Sequence, residues 1–385
     1  MAFPTARVRD RGAARWAAGH PWIYRTDVLD GPREPGLVRV LDRRGRFLGS
    51  ALWSPRSEIR LRLLDRADRP IDAAWWRERL RAAAERRAGI DATAWRLVHA
   101  EGDALPSLVV DRYDRWLVAQ LLSAGLETER RRVLEALVEL FNPAGILLRH
   151  DTAVRRREGL PEEIAVAYGT VPELIEVREG GIRYLAAPWS GQKTGAFLDQ
   201  RPARLLAADL ARPGGTALDC FTSHGSFALH LATRAGAVTA VDASAEALSR
   251  AAENARRNGL ANIHWEAGDV FELLRRWERE GRRFDTIVLD PPAFAKTRGA
   301  VPQALRGYKE INLRAMRLLA PGGSLLTASC SFHVSRGLFL EMLAAAAADS
   351  GRRLVLTHLL AQGQDHPEVV TIPETGYLKG AVLRA

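Results

Sequence analysis

ALDCFTSHGSFALHLATRAGAVTAVD, residues 217–242, opens on an apolar run ending in Asp219 and passes through a small-residue turn. It then takes on helical amphipathic spacing and closes on a second apolar run ending in Asp242. That is a strand, loop, helix, strand unit with an acid at the tip of each strand. Open α/β sheets bind ligands in the crevice beyond the carboxyl ends of such strands. The turn Ser223-His224-Gly225-Ser226 lets backbone approach a ligand closely. Asp242 lies about 20 residues beyond the turn, the offset at which an acid holds ribose hydroxyls. No GxGxxG is present. The unit therefore predicts an adenosine-containing cofactor other than a dinucleotide.

The same alternation continues on both sides. Strands are predicted at 217–220, 238–241, 263–266, 286–289 and 324–328. Helices are predicted at 197–211, 226–234, 245–258, 270–280 and 304–319, which implies a parallel sheet with helices on both faces. The end of the chain, 353–359 and 377–383, reads as two more strands forming an antiparallel edge pair. Upstream of residue 187 the character differs. Residues 1–70 read as short strands, with DRRG (42–45) as a hairpin turn between 37–41 and 46–53 and a further strand at 59–64. A helix follows from Ile71 to Gly89, with Trp75, Trp76 and Leu80 on its apolar face. Residues 95–185 read as a small α+β unit: three strands, a helix over 127–141, and strands at 146–149 and 182–186. The expected domains are thus 1–70, 71–186 and 187–385.

Composition narrows the class. The 385 residues are 47% hydrophobic and 26% charged, as in a globular protein of two or three domains. No run of about 18 uncharged apolar residues suggests a membrane span, and the N-terminus lacks a signal-peptide core. The only cysteines, Cys220 and Cys330, exclude a disulfide framework and fit a reducing cytoplasm. Within residues 1–100, 21 Arg and no Lys stand against 12 acids, so nine of the chain's ten surplus positive charges fall there. Arginine-rich coding explains Arg over Lys, 52 to 4 in all, but not an excess over acid in one region. The excess points to a polyanion, and to nucleic acid first.

Asp219, Asp242, Asp269 and Asp290 all follow or end successive strands. One such acid is unremarkable as a helix cap; four on one sheet edge point to a site. Asp290-Pro291-Pro292-Ala293-Phe294 is a rigid loop, because two prolines fix φ and remove two donors. It orients the Asp290 carboxylate to accept N–H groups of a planar base and Phe294 to stack on it; the alternative is a turn with a core phenylalanine. Cys330, in Ser329-Cys330-Ser331, emerges at the same edge. As a thiolate it would attack carbon 6 of a pyrimidine and make carbon 5 able to take a methyl group; otherwise it is a small buried hydrophobe. His224 and His333 are candidates to assist it. Cys220 reads as structural.

These segments resemble class I S-adenosylmethionine (SAM)-dependent methyltransferases, and more closely the bacterial 23S ribosomal RNA cytosine-5 methyltransferases with an N-terminal PUA domain. The resemblance rests on GHPWIYRTDV, RLVHAEGDALPSLVVDRY, GQKTGAFLDQR, LDCFTSHGSFALHLA, DPPAFAK, GYKEINLRAMRLLAPGG and SCS, and it spans nearly the whole chain. It implies a Rossmann-like domain with a mainly parallel seven-stranded sheet, a β-rich PUA-like domain and an α+β middle domain. It further implies that Asp219, Phe221, Thr222, Ser223 and Gly225 surround the methionine part of SAM. Asp242 would hold the ribose, Asp269 the adenine amino group, and Asp290 would border both cofactor and target base. Asp199, Gln200 and Arg201 would line the pocket, with Pro291, Pro292, Phe294 and Lys296 on the substrate side. Cys330 matches the nucleophile and Asp290 its catalytic neighbour. Where the family has Tyr and two successive glycines, this chain has Thr222-Ser223-His224-Gly225-Ser226, which changes the local cofactor contacts. No cysteine lies beside Pro291, so release of Cys330 would use another base, Asp290 or water.

The expected partner is 23S ribosomal RNA, with no membrane or metal partner; a homodimer is compatible with the sequence. Rival readings are guanine-N2 methylation without a thiol, an RNA-binding protein with a vestigial methyltransferase domain, and a small-molecule methyltransferase.

Overall fold

The computed structural model describes residues 4–385. Residues 1–3, the start of the N-terminal segment expected to lack a signal-peptide core, lie outside the described residues. The chain divides into two compact units. One runs to Val177 and takes in Ala186–Leu198 and Gln364–Gly376; the other holds Arg178–Leu185, Asp199–Gly363 and Tyr377–Ala385.

The first unit carries two sheets. Strands β1 (Thr5–Val8), β2 (Trp22–Tyr24), β3 (Val28–Asp30), β4 (Gly36–Leu41), β5 (Phe47–Trp53) and β6 (Ile59–Asp65) are ordered β2-β6-β5-β4-β1-β3, with helix α1 (Asp10–Ala17) between the first two in sequence. The DRRG hairpin forms as expected. Asp42 Oδ1 accepts from the Arg44 and Arg46 amides at 2.8 and 2.9 Å, and Gly45 takes φ +78°. After α2 (Ala73–Glu85), whose N-cap Asp72 accepts from the Trp75 amide, come β7 (Ala94–His99), β8 (Leu108–Tyr113) and β9 (Trp116–Leu121). The helix expected over 127–141 is two, α3 (Ala124–Glu127) and α4 (Arg130–Phe141). Then β10 (Gly145–Arg149), α5 (Ala153–Arg157) and β11 (Ile164–Gly169) complete a sheet ordered β11-β10-β9-β8-β7. Leu37, Leu52 and Leu64 join Trp75, Trp76, Val98, Val110 and Leu137 in one buried cluster, so the two sheets share apolar core.

Several arginines of the first hundred residues are internal, and acids later in the chain neutralise them. Arg62 pairs with Glu158 at 2.8 Å, Arg87 with Asp103 at 2.6 Å and Arg96 with Asp111 at 2.9 Å. Arg7, Arg9, Arg33, Arg43, Arg44 and Arg56 are among the arginines of this region that are exposed.

A two-stranded ribbon, β12 (Ile175–Glu179) and β13 (Ile182–Ala186), precedes the second unit's sheet. That sheet is built from β14 (Thr216–Cys220), β15 (Ala237–Asp242), β16 (Ile263–Ala267), β17 (Phe284–Leu289), β18 (Leu319–Ser329), β19 (Val355–Leu360) and β20 (Lys379–Arg384). Its order is β16-β15-β14-β17-β18-β20-β19, with the first five parallel and β20 antiparallel to both neighbours. The last two strands do pair antiparallel at one side of the sheet, with β20 inserted beside β18 and β19 outermost. Helices α6 (Arg201–Leu210) and α7 (Ser226–Ala232) contribute to the apolar cluster on one face; α9 (Val270–Arg279), α10 (Val301–Leu318) and α11 (Arg336–Ser350) contribute to the other. Helix α8 (Ala245–Arg257) is capped by Ser244. The helix expected from 197 begins at Arg201, after a 3₁₀ turn over Leu198–Gln200. Helix α11 is absent from the sequence reading because Ala344–Ala348 erase any polar face; Ser335 and Gly351 mark its ends. Among the described residues no helix is long and apolar enough to cross a membrane.

A buried ion pair anchors α6. Arg204 donates to both Glu179 oxygens at 2.6 and 2.7 Å, both side chains are 1% exposed, and His230 Nε2 lies 3.5 Å from the same carboxylate. Removing one partner strands a buried charge. Arg204→Met is expected to lower unfolding free energy by about 3–5 kcal/mol in urea titration; a loss below about 1 kcal/mol would show that the pair is dispensable.

Candidate active site

Parallel register brings the strand ends into line. Cys220 lies opposite both Val241 and Leu289, and Leu289 opposite Thr327. The residues just beyond those positions, Phe221, Asp242, Asp290 and Ser329-Cys330-Ser331, therefore emerge together at one edge. Parallel pairing produces this convergence because every such strand ends on the same side.

The first loop is tightly wound. Phe221, Ser223 and Gly225 all have positive φ, at 65°, 52° and 86°. Positive φ at a phenylalanine and a serine is backbone strain of the kind that clusters at ligand sites. Glycine is required at 225 for a second reason, since a Cβ there would meet the Ala251 Cβ at 2.9 Å and the Trp265 ring at 3.0 Å. The departure from the family pattern is accommodated: Ser223 donates its amide to Asp242 Oδ2 at 2.8 Å, and Asn254 Nδ2 donates to the His224 carbonyl at 3.0 Å. His224 itself stands 5.5 Å from the Tyr184 ring, and burial pushes its pKa down to about 4. The charged groups that act on it are Arg204, Glu179 and Arg250.

Asp219 is wholly buried. Its Oδ2 accepts from the Thr222 hydroxyl at 2.5 Å and the Ala228 amide at 2.9 Å, while Oδ1 has no hydrogen-bond partner among the described residues. Burial, reinforced by Asp290 and Asp242, outweighs those two hydrogen bonds and lifts its pKa to about 7. A buried carboxylate oxygen left unpaired fits a cationic or N–H-bearing ligand group. Asp242 Oδ1 accepts from the Ser244 amide at 2.9 Å. Asp269 caps α9, its Oδ1 accepting from Phe271 and Glu272 amides at 2.7 and 3.2 Å.

The Asp290 loop is pinned from several sides. Gln200 Nε2 donates to Asp290 Oδ1 at 2.7 Å, and the Tyr377 hydroxyl donates to Asp199 Oδ2 at 2.6 Å, which fixes the turn that carries Gln200. Arg201 is buried at the start of α6. The Ala295 amide and the Tyr308 hydroxyl both meet Ser331 Oγ, at 3.0 and 2.8 Å, tying DPPAFAK to the segment after β18. Phe294 is half-buried, 4.6 Å from the Tyr308 ring centroid and 6.0 Å from that of Phe271. Pro291 is buried, whereas Pro292 and Lys296 are exposed. Cys330 is partly exposed, its Sγ 4.0 Å from the Pro291 carbonyl oxygen. Cys220, by contrast, is fully buried in the core, where burial raises its thiol pKa well above normal.

The sequence reading missed Tyr308, Tyr377 and Lys379. Lys379, at the start of β20, is buried, and its Nζ donates to the carbonyls of Ser331 and Tyr377 at 2.5 and 2.9 Å. A signal existed: in a chain with 52 arginines, each of the four lysines is conspicuous.

A PUA-like domain model matches residues 6–66 and a methyltransferase domain model matches 211–369. A protein of Aeromonas hydrophila named ribosomal RNA large subunit methyltransferase I is 42% identical over 380 residues, 95% of each chain. The protein of that name from Erwinia tasmaniensis is 39% identical over 377 residues, again 95% of each. Among solved structures, one described as a SAM-dependent methyltransferase from Streptococcus mutans superposes over 100% of both chains with TM-score 0.83 at 19% identity. Another methyltransferase structure, complexed with S-adenosylhomocysteine, does so with TM-score 0.85 at 20%. These likenesses agree with the strand order in giving the second unit the class I SAM-dependent methyltransferase fold.

The Asp219 carboxyl has a consequence for stability. An aspartate titrates near pH 3.9 when unfolded, and here it titrates near 7, so between those values the folded state holds the extra proton. Its contribution to stability is fully present below about pH 4 and is lost as pH rises through about 7. Asp219→Asn is expected to flatten that part of the stability–pH profile in thermal unfolding; a profile identical to wild type would place the carboxyl outside this balance. By near-full-length identity to the named relatives, and with both domain models matched in order, this chain belongs to the ribosomal RNA large subunit methyltransferase I family.

Proposed function

We propose that the protein methylates carbon 5 of a cytosine in 23S ribosomal RNA, with Cys330 as nucleophile. The observation that carries this reading is the partly exposed Cys330 thiol beside the Pro291 carbonyl, at the sheet edge that also presents Asp290. Large-subunit ribosomal RNA comes from the relatives' name, and cytosine from the resemblance of DPPAFAK and SCS to the cytosine-5 enzymes.

When bound, SAM supplies an electrophilic methyl group. The unpaired Oδ1 of Asp219 fits its ammonium group, Asp242 the ribose hydroxyls and Asp269 the adenine amino group, through the oxygen not used for capping. Phe221, Thr222, Ser223 and Gly225 shape the backbone around the methionine portion. Asp290, oriented by Gln200, accepts from the exocyclic amine of the base. Cys330 adds to carbon 6, and the electrons of the 5,6 double bond become available at carbon 5. After methylation the carbon 5 proton leaves to Asp290 or water, the double bond re-forms, and the Cys330–carbon 6 bond breaks with its electrons returning to sulfur. Pro291, Pro292, Phe294, Lys296, Asp199 and Arg201 border the base and hold the loop.

The division into modules at 1–70, 71–186 and 187–385 is part of the same reading. The exposed arginines of the first module, which the PUA-like model covers, would contact phosphates, with the target base flipped or single-stranded. Cys330→Ala should lose about 10³-fold or more in turnover on RNA, measured by methyl incorporation and mass spectrometry of the base. A 5-methylcytosine in 23S ribosomal RNA should vanish from cells lacking the protein. Wild-type-like turnover in the variant would exclude the nucleophile and favour guanine-N2 methylation; an unchanged 5-methylcytosine map would exclude the substrate.

A further inference from the structure

We propose that Lys379 is the residue that holds Cys330 as a thiolate: its ammonium pairs with the sulfur as the thiol proton leaves. This rests on the reading of Cys330 as nucleophile and adds the group that activates it.

Backbone pairing fixes the position. Lys379 opens β20 directly opposite Ser329, the last residue of β18 and the neighbour of Cys330. Strand β20 is flanked by β18 and β19, and the β19 pairing begins at the next residue, Gly380, so the strand that carries the lysine is fixed in the sheet interior. The side chain is 5% exposed, and its Nζ donates to the carbonyls of Ser331, immediately after Cys330, and of Tyr377. An ammonium has three donors, and two carbonyls leave one for the sulfur. The charged and titratable groups that face Nζ are Cys330, from the end of β18, and Arg336, from the start of α11. A buried lysine whose electrostatic neighbours are a thiol and a second cation has no structural logic as an ordinary surface salt bridge. It has one as a thiolate partner, because thiolates form where a cation stands beside the sulfur.

The choice of lysine in this Arg-rich chain fits the same role. Guanidinium does not give up its proton, whereas a desolvated ammonium does. Burial, helped by Arg336, brings the Lys379 pKa down to about 8, close to that of an ordinary thiol at about 8.5. Two such neighbours titrate as a pair. The ammonium first releases a proton to solvent, the resulting amine lone pair takes the thiol proton while the S–H electrons stay on sulfur, and the pair is left as ammonium and thiolate. Attack on carbon 6 consumes the thiolate. When the carbon 6–sulfur bond breaks, the electron pair returns to sulfur opposite the same ammonium, while the carbon 5 proton goes to a different acceptor.

The test is the pH dependence of Cys330 alkylation by iodoacetamide in the full chain, read by peptide mass spectrometry, with buried Cys220 as internal reference. In the wild type the midpoint is expected below the value of about 8.5 typical of a free thiol. Lys379→Met, checked for folding by thermal unfolding, should move it up by at least about one unit, about tenfold slower reaction at neutral pH. An unchanged profile in folded Lys379→Met overturns the proposal. So does a wild-type midpoint at or above that of a free thiol, a measurement that needs no variant. Alkylation does not depend on turnover, so a Cys330→Ala enzyme that still makes product would overturn the nucleophile alone and leave this result standing.

Discussion

Parallel pairing of β14 with β15 and β17, and of β17 with β18, is the constraint on which the site depends. It forces four loops, distant in sequence, to leave the sheet side by side. Asp219, Asp242, Asp290 and Cys330 meet for that reason and no other. The order of the strands, with β14 in the middle, sets the first loop between the acid that ends β15 and the Asp290 loop after β17. Helices on both faces bury the sheet, and the core clusters on either side hold the strand ends where they are.

Burial among charged neighbours alters the proton affinity of two groups at this edge. Asp219 is raised by burial, with Asp290 and Asp242 adding to the effect. Lys379 is lowered by burial, with Arg336 adding to it. A carboxyl lifted toward neutrality and an ammonium drawn down toward it thus belong to the same sheet. Both shifts arise from desolvation, which requires the whole domain to close around the edge.

The basic N-terminal region illustrates a different relation between sequence and surface. A surplus of nine positive charges in the first hundred residues suggests a strongly basic face. Folding spends part of that surplus internally, because Arg62, Arg87 and Arg96 pair with Glu158, Asp103 and Asp111 from later in the chain. What faces outward includes Arg7, Arg9, Arg33, Arg43, Arg44 and Arg56, on the first sheet and its loops.

By itself the sequence determined the alternation of strands and helices, the hairpin at Gly45, the acids at the strand ends and the rigid Asp290 loop. Each is written in local periodicity or in turn residues, and local backbone preference suffices for them. It did not reveal α11, whose alanine run carries no polar face, nor the insertion of β20 between β18 and β19, which is a matter of nonlocal pairing. That insertion brings Lys379, separated from Cys330 by nearly fifty residues, to the carbonyl next to the thiol. The strained backbone at Phe221 and Ser223 and the unpaired Asp219 oxygen were equally invisible. Burial, pairing partners and proton affinity belong to the packed sheet, because they depend on which distant side chains exclude water from one another, and only the tertiary structure decides that.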